Sequence, residues 1–221
     1  MGLLLVPEFI LLDTLQKAIL AIRKDYNESS NPDQSWIGIL LKDIGYERYE
    51  FLKQASQVFI VDEKDPRHLQ VDLGFNMTRE GAPGIHITMP SESPGQNAIG
   101  NDEGYQEPVF NSTGNEYNKV FTRRYKSTYD IVVTSDNSNE CLLIYHVIKA
   151  ILVALTIQLN IKGLQNITFS GQDLQPYADL MPKNMFVRAI RLGIEYESST
   201  LTFEKYPTIV GIIFEGEVVS D

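Results

Sequence analysis

Cysteine, histidine and tryptophan are scarce in this chain of 221 residues, which has one cysteine, three histidines and one tryptophan. The single cysteine, Cys141, excludes an internal disulfide and fits folding in a reducing compartment. It stands at the head of an apolar segment, where a small core residue is the expected reading rather than a nucleophile. His68, His86 and His146 are far apart, and none has a partner at metal-ligand spacing. His146 lies inside an apolar helical pattern and reads as a satisfied core histidine. Basic residues are outnumbered, 19 against 29 acidic, for a formal charge of −10. That disfavours a general nucleic-acid binder, because phosphate contacts need a basic surface. Negative charge suits a wall that DNA slides past, although solubility is its commoner purpose.

Other signals are missing as well. No phosphate-cradling glycine loop and no Gly-x-Ser-x-Gly elbow occur, and Gly95, Gly100 and Gly104 are too irregular for a dinucleotide fingerprint. The acid pairs Asp62-Glu63 and Asp102-Glu103 fall in turns, where acids are expected anyway. No enzymatic activity, cofactor or metal is therefore expected. The opening run Met1-Gly2-Leu3-Leu4-Leu5-Val6 has no preceding Lys or Arg and is soon interrupted by Pro7, Glu8 and Asp13, so it reads as part of the fold.

What is present is organised around residues 125–196, which read as strand, long apolar helix, strand, loop, strand. Tyr129–Thr134 is the first strand. Asn137 is a candidate N-cap with Glu140 three residues on, a variant of the capping box. The helix is expected over about 140–160, with Gly163 as a left-handed stop. Leu143, Val147, Ala150, Ala154 and Ile157 share one face and Leu142, Tyr145, Lys149, Leu152 and Thr156 another, so the helix is expected to be largely buried. His146 and Lys149 argue against a membrane span, which needs about 20 mostly apolar residues. Leu164–Gly171 alternates as a half-buried strand. Met185–Glu197 is a long strand, with Phe186, Arg188, Ile190, Leu192, Ile194 and Tyr196 on one side and a second face that turns polar toward its end.

Before this unit, residues 7–26 form an amphipathic helix. Its stripe is Leu12, Leu15, Ile19, Ile22 and Tyr26, set to pack on a sheet or on a neighbouring subunit. Trp36–Leu41 and the segment through Leu52 are compatible with a strand and a short helix, and periodicity does not settle which is which, with Trp36 as a core or interface anchor. Val58–Val61 and Leu69–Phe75 read as strands, joined by a charged turn. Residues 76–118 are rich in glycine and proline. Only Ile85–Met89 alternates there, so the segment reads as an extended loop or arm that orders against a partner, removable over 78–116 without loss of the fold. Arg123, Arg124 and Lys126 form the most basic spot, on a strand beginning near Val120. Residues 198–221 read as a C-terminal strand or tail, in which Ile209–Val218 suits an edge or a neighbour. The whole is expected to be a single α+β domain over 1–221. Its sheet is mostly antiparallel, flanked by the N-terminal helix and the long buried helix.

The order of these elements resembles the tail-terminator and tail-completion proteins of tailed bacteriophages. The resemblance rests on Tyr129–Thr134, the Cys141–Leu159 helix, Ile167–Phe169 and Met185–Tyr196, and in particular on the pattern Phe186, Arg188, Ile190, Leu192, Ile194, Tyr196. It implies a structural, non-catalytic protein of the virion neck or tail, made in the host bacterial cytoplasm, without cofactor or membrane. Such a protein forms a homo-oligomeric ring, six-fold or twelve-fold, against neighbouring neck and tail proteins, with DNA only passing through its lumen. Subunit-interface candidates under this reading are Leu12, Leu15, Ile19 and Trp36, then Tyr105 and Phe110 in the insertion, and the cations Arg123, Arg124, Arg188 and Arg191. A head-completion, adaptor or baseplate ring protein is the near alternative. A host-surface or glycan-binding module is the distant one, with Tyr105, Phe110, Tyr117 and Phe121 as its aromatic candidates.

Overall fold

The computed structural model describes residues 4–42, 50–61, 64–65, 67–74, 83–95, 109–110, 116–117, 120–173 and 185–201. The fold is α+β: a mixed five-stranded sheet carries a layer of helices on one face. In chain order the helices are α1 (Pro7–Glu28), α2 (Trp36–Leu41), α3 (Phe51–Phe59), α4 (Ser138–Ala154) and α5 (Thr156–Ile161). The strands are β1 (Gln70–Leu73), β2 (Gly84–Pro94), the short pair β3 (Val109–Phe110) and β4 (Glu116–Tyr117), β5 (Val120–Ser135), β6 (Gln165–Asp173) and β7 (Phe186–Leu201). The main sheet runs β1-β2-β5-β7-β6, antiparallel except where β1 joins β2 in parallel.

β5 and β7 form the spine, paired without a break from Val120–Leu201 to Ser135–Phe186. Their two-residue alternation places Tyr129, Ile131, Val133, Ile190, Leu192 and Ile194 on the helix side, where all are buried. From above, α4 contributes Leu143, Ile144, Val147, Ile148, Ile151 and Leu152, and α1 contributes Leu11, Leu15, Ile19 and Ile22. Burying such a side chain stabilises by about 1.5–3 kcal/mol each before the entropy cost. On the opposite face Val132, Val187 and Ala189 form a small second buried cluster.

Both ends of the long helical segment follow the local chemistry. The Asn137 side chain accepts from the amides of Asn139 and Glu140 at 2.9 and 3.4 Å. Gly163 holds φ +99°, the left-handed stop, and the Leu164 amide reaches back to the Leu159 carbonyl at 3.0 Å. Glu140 does not complete a reciprocal capping box. Its carboxylate accepts from Ser135 Oγ at 2.6 Å and from Arg67 at 3.1 Å, while the Asn137 amide goes to Ser135 Oγ. The helix is also not continuous to residue 160: Leu155, at φ −93° and ψ 5°, separates α4 from α5.

One open reading is settled and two expectations are corrected. Trp36–Leu41 is helical throughout, capped by Ser35 Oγ, which accepts from the Gly38 amide at 3.1 Å. Val58–Val61 is not a strand. Val58 and Phe59 end α3, whose apolar residues Phe51, Ala55, Val58 and Phe59 recur at helical spacing. Finally, 76–118 is not simply an arm. Gly84–Pro94 is β2, an interior strand of the sheet with Ile85 and Ile87 in the core, so removing 78–116 would remove part of the fold. The rest of that segment lies outside the described residues apart from Pro83, Gly95 and the β3–β4 pair, and so does the tail beyond Leu201.

A register shift in β2 has a local consequence. Between Thr88 and Ser91 the strand carries an extra residue relative to β5, so that Glu92, rather than Ser91, stands opposite Ser127 on the helix side.

Candidate functional site

Two features of the helix layer present chemistry outward. The first is a groove of about 470 Å³ between α1 and α4–α5. It opens because the facing positions are small: Ala18 and Ala21 on α1, Ala154 on α4. Ile22, Ile151 and Leu155 line it, and Trp36, 37% exposed, stands at its side. Lys162 ties the α5 end of this region to α1, donating to Thr14 Oγ1 at 2.9 Å and to Asp13 at 3.2 Å. Near the other end of α1 the Trp36 amide donates to Asp25 at 2.7 Å. Hydrogen bonds from Lys17 and then Lys162 hold the Asp13 carboxyl below its ordinary range.

The second feature is an exposed stripe beside the groove. Val153, Ile157 and Ile161 follow one another at four-residue spacing and are 55, 72 and 75% exposed. Leu4 and Phe9 at the start of α1 are exposed too, and Phe9 lies one turn before Asp13, which Lys162 holds. The outer side of α4 begins polar, at exposed His146 and Lys149, and turns apolar along its length.

A polar network built on the buried Tyr129, Tyr196 and Ser127 lies beneath α1. Tyr129 donates its hydroxyl to Glu8 Oε1 at 3.1 Å, Tyr196 donates to Glu92, and Ser127 Oγ donates to Glu92 at 3.0 Å. Tyr125 stacks on Tyr196 with ring centroids 5.6 Å apart. Burial, reinforced by Glu8, raises the Tyr129 hydroxyl well above the ordinary tyrosine range; burial and the bond to Glu92 do the same for Tyr196. Both hydroxyls therefore stay protonated and act as donors that position Glu8 and Glu92. Among the described residues no three His, Cys, Asp or Glu side chains converge on a possible metal position.

The structure distributes the expected interface residues unevenly. Leu15 and Ile19 are buried in this chain's own core and Leu12 is half-buried, so α1 offers Phe9 and Leu20 outward instead. Trp36 borders the groove. Arg124 pairs with Glu197 at 2.9 Å across the β5–β7 ladder; exposed Arg123 and Lys126 stand opposite Ser198 and Glu195. Arg188 sits over the Tyr145 ring, 5.8 Å from its centroid, and Arg191 clasps Asp130 through two bonds of 2.8 and 2.9 Å. The four arginines therefore do not form one patch. Phe110 belongs to β3, and Tyr105 lies outside the described residues. His146 is exposed, not a core histidine. The buried histidine is His86, with its ring nitrogens at 3.2 Å from the Gly74 carbonyl and 3.1 Å from Thr134 Oγ1. Partial desolvation by its neighbours, then the charges of Arg188 and Lys149, lowers the His146 pKa.

Apolar composition makes Ile157 and Ile161 look like core residues, yet at helical spacing both lie on the side away from the buried Ile144, Ile148, Leu152 and Leu159, as Val153 does before the break at Leu155. No protein-family model and no curated protein matches the chain. Among the described residues no helix is long and apolar enough to cross a membrane.

Proposed function

We propose that this chain is a structural subunit of a tailed-bacteriophage neck or tail, of the tail-terminator or tail-completion type. In this reading it acts by assembling as a ring that joins head connector to tail, without catalysis. The observation that carries the reading is the exposed apolar face formed by Val153, Ile157 and Ile161 beside the groove. Three exposed apolar side chains in line on one helical segment favour burial against another protein surface. A stripe that fits a neighbour's groove makes a heterologous contact, which closes into a ring when the rotation closes. The place in a phage particle rests on the resemblance carried by the β5–α4–β6–β7 unit.

The test is native mass measurement with negative-stain imaging of the purified chain and of an Ile157→Asp, Ile161→Asp variant. Closed rings with a central channel that the variant fails to form are expected. A wild-type monomer that binds immobilised glycans would refute the ring reading in favour of a surface-binding module.

A further inference from the structure

The two edges of the main sheet are finished differently. β1 is 4 residues long, and the Gln16 side chain of α1 donates to its Val71 carbonyl at 3.3 Å. β6, at the other edge, is 9 residues long and stands open. Gln165, Asn166, Thr168, Ser170 and Gly171 are exposed, and β7 is the only strand that pairs with β6 among the described residues. Along a strand, alternate residues turn their amide and carbonyl to opposite sides, so one set meets β7 and the other faces outward. Such an edge is a template for a further strand, and proteins commonly block it with lysine, proline or an inward charge. From Gln165 to Gln172 β6 contains no proline and no charged residue. Its one interruption is a bulge at Asn166, φ +50°, after which Thr168–Asp173 keeps a regular register with β7.

The regular stretch suits a second copy of itself. The chain carries a formal charge of −10, so two copies approach most easily where neither presents charge. The charged neighbours on β7 are engaged within the chain: Glu195 accepts from Asn166 at 2.7 Å, and Arg191, opposite Ser170, clasps Asp130. Antiparallel pairing about a two-fold axis normal to the sheet at Ser170 keeps every residue on its own face. Ser170 then stands opposite Ser170 of the second copy, Thr168 opposite Gln172 and Phe169 opposite Gly171. On the open face the two Ser170 hydroxyls meet and can hydrogen-bond. On the helix face the half-buried Phe169 gains the exposed main chain of Gly171 as a neighbour, a pairing in which an aromatic ring shields a glycine.

We propose that β6 is a self-association edge: two copies of this chain pair β6 with β6, antiparallel about Ser170. Their two five-stranded sheets become one, with both helix layers on the same side. The contact is isologous and closes as a dimer. It does not rest on the ring reading, which uses a different surface.

The test is sedimentation velocity on the full chain carrying Ile157→Asp, Ile161→Asp, which removes the proposed ring contact, with and without a charge at Ser170. Ser170 is exposed, and thermal melts establish that each chain is folded. The chain without that charge is expected to be a dimer. Ser170→Lys and Ser170→Glu each set two like charges directly opposite, and each is expected to raise the dimer dissociation constant at least about tenfold. An equimolar mixture of the two is expected to recover the dimer, because lysine then faces glutamate. A monomer before any charge is added overturns the proposal. So do Ser170 variants that dimerise unchanged, or a mixture that stays monomeric. Hydrogen exchange gives a check that needs no change at Ser170: outward amides within 168–172 are expected to gain protection as the dimer forms, and unchanged exchange there overturns the proposal. A wild-type chain that forms dimers lost in Ser170→Lys, but no rings, refutes the ring reading alone.

Discussion

Tyr129→Phe isolates one atom of the network that holds α1 on the sheet. Tyr129 is fully buried, and its hydroxyl donates to Glu8 at 3.1 Å. A hydrogen bond to a charged acceptor contributes about 1.5–3 kcal/mol net. Glu8 is only half-buried and water can replace part of the lost bond, so the lower figure applies, about 1.5 kcal/mol. Phenylalanine keeps the ring, so no large cavity adds to the cost. With an m value of about 3 kcal/mol/M in urea, the midpoint should fall by about 0.5 M. The decisive comparison is the same substitution in a Glu8→Ala background. There the buried hydroxyl has lost its acceptor, and removing it becomes neutral or stabilising. The cycle cancels the loss of a favourable acid from the first turn of α1, which Glu8→Ala entails on its own. Equal destabilisation by Tyr129→Phe in both backgrounds would refute the coupling and reassign the role of Tyr129 to packing.

The same network predicts alkaline sensitivity. The folded-state pKa values of Tyr129 and Tyr196 lie above their ordinary value of 10.0, so the folded state retains protons that the unfolded state releases. Their contribution is whole below pH 10 and declines as pH rises above it, by at most about 2.7 kcal/mol per pH unit for the pair; urea midpoints across that range should fall more steeply for wild type than for Tyr129→Phe, Tyr196→Phe. Gly171→Ala should destabilise by about 1–3 kcal/mol, because a Cβ there meets the Tyr145 hydroxyl and displaces the ring under Arg188; a thermal melt reads this. The depressed His146 pKa favours the folded state above the unfolded value and ceases to do so as pH falls below it. An NMR titration of His146 should show a midpoint below 6.5, moving upward in Arg188→Met. Deleting 98–118 should leave a cooperative melt, whereas deleting 78–116 should abolish it, because only the longer deletion removes β2.

The parts of the fold legible in the sequence are those where local signals act alone. Asn137 caps and Gly163 stops because a side-chain oxygen and a missing Cβ each decide a single turn. β7 shows its two faces because the helix side is packed from Ile190 to Tyr196, while the other is packed at Val187 and Ala189 and turns polar beyond them. β2 is harder to see, since its prolines look like loop punctuation. Yet Pro90 falls at the bulge and Pro94 is the last residue of the strand, two places where a missing amide donor is tolerated. Val58–Val61 is a four-residue apolar run that suits either a strand or a helix end, and only the spacing back to Phe51 decides it. The candidate surface is less legible still. Ile157 and Ile161 look like core residues by composition, and only their helical position opposite Ile144, Ile148 and Leu152 shows that they face outward.

The distribution of charge bears on how such a surface would be used. Sixteen of the 29 acidic and fourteen of the 19 basic residues lie in the described part of the chain, which is therefore nearly neutral. Within it, charges tend to find partners: Arg124 with Glu197, Arg191 with Asp130, Arg67 with Asp136 and Glu140. The acidic excess is carried by the remaining segments, including Asp102, Glu103 and Glu107 and, beyond β7, Glu215, Glu217 and Asp221. A nearly neutral body with an apolar stripe can approach another copy without the repulsion that a formal −10 would imply if spread evenly. Association through the stripe should therefore change little with salt. Sedimentation of wild type and of Ile157→Asp, Ile161→Asp at low and high ionic strength checks this, and a steep salt dependence of the association that the variant loses would refute an apolar contact.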